Sequence, residues 1–276
     1  ELRAYRKYQR IFRDFDVIWD ITHLHLIARF MPNMPILNIF ESTPESAAKA
    51  HYEKAPYNLV CCSRWAIREI KRWYGKEAIF QETIQLDPKV YTTAQRNDRF
   101  FLIGRMSQEK GNLNAINLCK KLGLKLDVAG GRGSEVERGQ PLLEYEEEVR
   151  KACDGEQIRF LGEVSDDEKI KLMQSAKALL YCTDFVESVS LKVEESLACG
   201  TAVIVPNSGG MAEVVTHGVN GFLCSNEADY IEALKKVDSL QPEKLRDEFM
   251  SKHQPEVVAK GYLDLMTKVA NGLRWQ

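Results

Sequence analysis

The sequence predicts an α/β protein with parallel sheets, and three observations predict it. Short apolar runs alternate with amphipathic stretches along most of the chain, which is the pattern of repeated βαβ units. Several of these runs are β-branched and continuous rather than alternating, as strands covered on both faces require. The stretches between them carry helix start and stop signals.

Taken in order, strands are expected at Val17–Ile21, Ile36–Phe40, Asn58–Cys62, Phe100–Ile103, Lys125–Ala129, Ile158–Leu161, Ala178–Tyr181 and Ala202–Val205. Ser63 is placed to cap a helix on which Trp65, Ile70 and Trp73 share a face, and Gly75 ends it. Ser165, with Asp166, Asp167 and Glu168 after it, starts another, because acidic groups complement a helix N-terminus. The last 50 residues read as helices only, with Pro242 and Pro255 suited to first turns. Leu86–Asp98 is polar, contains a proline and lacks an apolar period, so a boundary falls there. Two Rossmann-like units are expected to flank it, residues 1–97 and 98–250, with a helix in 251–276 packing back toward the first.

Composition narrows the classes. Hydrophobic residues make up 44% and charged residues 28% of 276, which excludes disordered, collagenous and low-complexity chains. No apolar run approaches the ~20 residues of a membrane span. The chain begins at Glu1 without a signal peptide's charged start or apolar core, so it is expected to be part of a longer one. Seven cysteines, with no C-x-x-C pair, signal neither a disulfide framework nor a zinc cluster and imply a cytoplasmic setting. Residues 1–97 hold 15 Lys+Arg against 11 Asp+Glu, and the remainder 23 against 29. That polarity is too small to mark a nucleic-acid partner.

In open α/β sheets ligands bind beyond the carboxyl ends of the strands, so the residues just after each strand are informative. After Phe100–Ile103 comes GRMSQEKG, where Gly104 permits a tight turn and Arg105 and Lys110 place two cations on the loop and first helical turn. They make either a diphosphate site or an ordinary pair of surface cations. After Lys125–Ala129 comes GGRGSE, whose Gly130, Gly131 and Gly133 allow close backbone approach or form a plain turn. After Ala178–Tyr181 comes TDFVESVSLKVEESLACGTAVIVPNSGG. Glu187 precedes a helix start, and Glu195 stands about two turns further on, on a similar face. Such carboxylates accept hydrogen bonds from the hydroxyls of a sugar or ribose; with Glu194 beside them, the alternative is a solvated acidic face. N–H groups around Ser190 and Leu191 would supply a second anion site.

In order and spacing, FFLIGRMSQEKG, RFLGEVSDDEK, ESVSLKVEESLACGTAVI, SGGMAEVV and GVNGFL resemble the nucleotide-sugar-binding half of the retaining glycosyltransferases of family 4. The resemblance covers residues 98–225 strongly and 16–97 weakly. It implies the GT-B architecture of two Rossmann-like domains, the N-terminal one incomplete here. It also implies transfer of a hexose from a UDP- or GDP-sugar to an acceptor hydroxyl on a sugar, glycan or lipid-linked molecule, with retention and with neither metal nor cofactor.

By this resemblance Glu187 holds hydroxyls of the transferred sugar and Glu195 the ribose. Arg105 and Lys110 grip the diphosphate; Gly104, Gly130 and Gly131 line the donor. Ser188, Val189, Ser190 and Leu191 form the loop at the distal phosphate, and Gly162, Glu163 and Val164 form the turn that meets the base. Where the family has Pro-Phe-Gly, this chain has Ser-Val-Ser at 188–190, a departure that bears on the donor sugar.

The first unit matches less. Relatives carry a histidine after the strand corresponding to Ile36–Phe40, where this chain has Glu41. His23 and His25 come after the strand Val17–Ile21 as cleft-lining or structural histidines; a third metal ligand is not evident. Arg3, Arg6, Lys7, Arg10 and Arg13 lie at helical spacing opposite Leu2, Ile11 and Phe12, a solvated helix face or a peripheral membrane contact. Two other activities fit the pattern: a nucleotide-sugar epimerase on the same architecture, and a non-catalytic nucleotide-sugar-binding protein.

Overall fold

The computed structural model describes residues 2–22, 25–40, 57–131 and 142–275. Along the chain run α1 (Leu2–Tyr8), β1 (Ile18–Asp20), α2 (Leu26–Phe30), β2 (Ile36–Phe40), β3 (Leu59–Cys61), α3 (Arg64–Tyr74), β4 (Ala78–Phe80), β5 (Arg99–Ile103), α4 (Asn112–Leu122), β6 (Lys125–Ala129) and α5 (Leu142–Lys151). Next come β7 (Ile158–Gly162), α6 (Asp166–Ser175), β8 (Leu179–Leu180), α7 (Leu191–Ala198), β9 (Val203–Pro206), α8 (Met211–Val214), β10 (Gly221–Cys224), α9 (Glu227–Lys236), α10 (Glu243–His253) and α11 (Pro255–Ala270). The eight expected strands are all present, and every described pairing is parallel. The chain divides into two compact units, Glu1–Gln85 with Glu187–Val189 and Lys252–Gln276, and Leu86–Val186 with Ser190–Ser251.

In the first unit the strands run in the order β1-β2-β3-β4. Alternation along a strand sends successive side chains to opposite faces. Leu37, Ile39 and Val60 therefore pack under Val258, Tyr262, Leu265 and Val269 of α11, while Phe40, Leu59 and Cys61 pack against Ala66 and Ile70 of α3. Ser63 Oγ caps α3 by accepting from the Ala66 N–H at 3.2 Å, and Gly75 ends it with φ 64°. The chain end is tied back by Trp275, whose N–H donates to Asn58 Oδ1 and whose carbonyl accepts from the Asn58 N–H. The basic N-terminal stretch is not one helix: α1 stops at Tyr8, a short 3-10 turn covers Ile11–Asp14, and Leu2 and Ile11 are exposed. Among the described residues no helix is long and apolar enough to cross a membrane.

The second unit's sheet has the order β10-β9-β8-β5-β6-β7. In chain order its strands extend one way through β5, β6 and β7, then the other way through β8, β9 and β10, so they diverge between β5 and β8. Alternation again splits the core. Phe100 and Leu102 face the cluster that includes Ile116 and Leu234, and Phe101 faces Val193 and Leu197 of α7. Charges inside the strands are paired: buried Asp127 on β6 accepts from Arg99 Nε at 2.6 Å and from Arg159 Nη2 at 2.6 Å, on the neighbouring strands. Ser165 and Glu168 close a reciprocal capping box on α6.

Candidate functional site

The point where parallel strands diverge leaves a crevice at their carboxyl ends that no crossover helix fills. In the second unit the loops leaving β5 and β8 border it. They are fastened to each other: the Thr183 hydroxyl donates to the Glu109 carbonyl and accepts from the Phe185 N–H at 3.0 Å. Gly111, with φ 66°, lies so close to the Cys182 carbonyl that a side chain there would overlap it. Gly130 takes φ 125°, and a Cβ on it would overlap the Gly104 carbonyl oxygen. The Gly130 N–H donates to Gly162 at 2.7 Å and the Met106 N–H to Gly131 at 2.9 Å, which joins the ends of β5, β6 and β7. The exposed Glu163 side chain lies against Gly131, and Val164 packs at the edge of the α7-side core.

Arg105 and Lys110 both leave the β5 loop. Arg105 Nη2 donates to Glu109 Oε1 at 2.6 Å, and the Lys110 ammonium stands 4.6 Å from the Phe185 ring centroid. Lys110 sits in the 3-10 turn Gln108–Lys110 ahead of α4, not in the first turn of the α-helix, because left-handed Gly111 separates the two. Across the divergence, α7 begins at Leu191 with Ser190 as its N-cap residue. The Ser190 carbonyl accepts from the N–H groups of Val193 and Glu194. Its hydroxyl is buried and has no hydrogen-bond partner among the described residues.

Two expectations need correction. Glu187 is not two helical turns below Glu195, because α7 starts four residues after it; Glu187, Ser188 and Val189 are grouped with the first unit. The reading of Glu194 and Glu195 as a solvated acidic face also fails, since each is 3% exposed. Glu195 Oε1 instead accepts from Lys169 Nζ and from the Tyr91 hydroxyl, each at 2.8 Å. Burial lowers the affinity of Lys169 for its proton, but the hydrogen bond and charge of Glu195, with Asp166, outweigh it, and its pKa is raised. Burial, and after it the same carboxylate, raises that of Tyr91.

The second unit thus carries Gly104, Arg105, Lys110, Gly130, Gly131, Glu163, Val164, Ser190, Leu191 and Glu195 on its strand-end loops and on α7. His23, Glu41 and Gly133 lie outside the described residues. His25 is buried in a left-handed conformation, 4.0 Å from Asp20. Tyr91, Lys169 and Thr183 could not be picked out from sequence, because their partners are set by tertiary approach rather than by a motif. A cavity of about 430 Å³ adjoins the β8 loop, lined by Cys182, Thr183 and Asp184 together with Asn114, Asn226 and Glu227. Its lysine, Lys121, is bonded to Glu227, so it lacks the paired cations a diphosphate needs.

Fold and strand-end loops together define an α/β protein of the GT-B architecture. The family model described as glycosyl transferases group 1 matches residues 84–254, and the chain belongs to that family. Human alpha-1,3/1,6-mannosyltransferase ALG2 is 34% identical over 113 residues, 40% of this chain and 27% of that protein. A probable sucrose-phosphate synthase of Thermosipho melanesiensis is 31% identical over 131 residues, 45% of this chain and 31% of its own length. The match thus spans about a third or less of these curated relatives. Among solved structures, AviGT4, a glycosyltransferase involved in avilamycin A biosynthesis, has a TM-score of 0.72 at 22% identity, covering 98% of this chain and 79% of that one. Anabaena HepE in complex with UDP has a TM-score of 0.80 at 15% identity, covering 95% and 81%.

Proposed function

We propose that the protein is a retaining glycosyltransferase that moves a hexose from a UDP- or GDP-sugar to an acceptor hydroxyl. The observation that carries this reading is the pairing at the strand divergence: Arg105 and Lys110 come after β5, and the start of α7 comes after β8. HepE, a neighbour in fold, was solved with UDP and with UDP-glucose, which supports the donor class. Breaking the bond between the anomeric carbon and the phosphate oxygen builds positive charge on the sugar and negative charge on the departing diphosphate. The two cations and the N–H groups at the start of α7 are suited to stabilise the second of these. The acceptor oxygen bonds to the anomeric carbon on the face the diphosphate leaves. Its proton passes to the departing phosphate oxygen, so configuration is kept and no separate base is required. With fixed cations opposite the diphosphate, no metal is invoked.

A screen of nucleotide-sugars by thermal melting, then donor consumption with an acceptor panel, tests the proposal. UDP or GDP is expected to raise the melting temperature, and Glu195→Ala to remove that rise. Arg105→Ala is expected to lower turnover by about 10²–10³-fold. Unchanged melting with every nucleoside diphosphate contradicts the reading.

A further inference from the structure

Glu195 is fixed by two side chains from outside its own helix. Lys169 on α6 and Tyr91, in the segment before β5, both donate to Oε1 at 2.8 Å. A carboxylate offers about four lone-pair sites, two on each oxygen. The two donors take up Oε1, while Oε2 has no donor among the described residues. The Glu195 and Lys169 side chains are 4% and 17% exposed, so the pair is not a solvent-screened surface contact.

The approach of Tyr91 is itself held. Its carbonyl accepts from Arg246 Nη2 at 2.5 Å, and Nε of the same guanidinium donates to the Ala198 carbonyl at the end of α7. Gln174 Nε2 on α6 donates to Thr92 Oγ1 at 2.9 Å, and the Asn97 N–H to the Ser175 carbonyl. The Tyr91 ring packs beside the core cluster that holds Val193 and Leu197 of α7. The segment is therefore bound to both helices that flank the carboxylate.

We propose that Tyr91 and Lys169 are positioning residues for ribose recognition, holding Glu195 so that Oε2 accepts hydrogen bonds from the ribose hydroxyls of a nucleoside diphosphate. This rests on the donor site proposed above. Lys169 sets a positive charge against the buried carboxylate, and Tyr91 fixes its rotation with a neutral donor. Neither is part of a strand-end loop, and neither needs to touch the ligand.

Calorimetric titration of the unaltered protein, Tyr91→Phe and Lys169→Met with UDP and GDP, and with their 2′,3′-dideoxy forms, tests the inference. The unaltered protein is expected to bind one ribonucleotide about tenfold or more tighter than its dideoxy form. Tyr91→Phe is expected to weaken ribonucleotide binding about tenfold and dideoxy binding by less than about twofold, so that discrimination collapses. Lys169→Met should do the same, and Lys169→Arg should restore part of it. A purely structural role would weaken both forms alike. Discrimination kept in Tyr91→Phe and Lys169→Met, or absent from the unaltered protein, overturns the inference while leaving nucleotide binding intact. No binding of either diphosphate by the unaltered protein overturns the proposed function, and this inference with it.

Discussion

At Gly130 the backbone turns through φ 125° beneath the Gly104 carbonyl, a conformation and a closeness that a side chain cannot share. Gly130→Ala is therefore expected to lower stability by about 1–3 kcal/mol, read as a fall in melting temperature, and to displace the β5 loop with its two cations. An unchanged melting temperature would show that the loops can separate freely. The sequence left this GG open between a close backbone approach and a plain turn, and the contact with Gly104 decides for the first. That neighbour was not legible, since Gly104 lies 26 positions earlier. The same holds for Glu195: its chemistry could be read from its identity, but its partners Lys169 and Tyr91 come from other elements. Glu109 is four residues from Arg105, yet no regular helix joins them, so the usual helical pairing argument did not apply.

Among the elements, α6 and α7 are coupled by Lys169 and Glu195, and the segment around Tyr91 is bound to both. Tyr91 and Lys169 have pKa values raised above the ordinary 10.0 and 10.5. The folded chain then retains protons that the unfolded chain has released, so stability falls as pH rises past those values. This contribution is fully present below about pH 10. Comparing urea unfolding of the unaltered protein and Tyr91→Phe between about pH 9 and 11.5 should show a shallower loss in the variant; equal slopes would contradict the coupling. Strand positions were legible because buried parallel strands are continuous apolar runs. β4 and β10 escaped for local reasons: Ala78–Phe80 is three residues long and not fully buried, and Gly221–Cys224 opens on a glycine after a turn. The helix start around Ser190 and Leu191 was legible, but the two-turn spacing of Glu187 from Glu195 was not met, because Glu187 precedes α7.

For the whole molecule, the continuous apolar runs predicted parallel sheets, and both sheets are parallel. The order of strands in the second unit, which locates the crevice between β5 and β8, was not written in any local pattern. It depends on which face each crossover helix covers, and those faces are set by alternating residues such as Phe100 and Phe101. The packing of α11 on β2 and β3 likewise joins residues some 200 positions apart.

Everything proposed for this protein depends on the divergence of β5 and β8 being a nucleoside diphosphate site. A crystal structure of the protein with UDP or GDP decides it. The diphosphate is expected against Arg105, Lys110 and the Ser190–Leu191 backbone, with the ribose on Glu195. A nucleotide seated instead in the cavity beside Asn114 and Asn226, or none bound at saturating concentration, would contradict that placement.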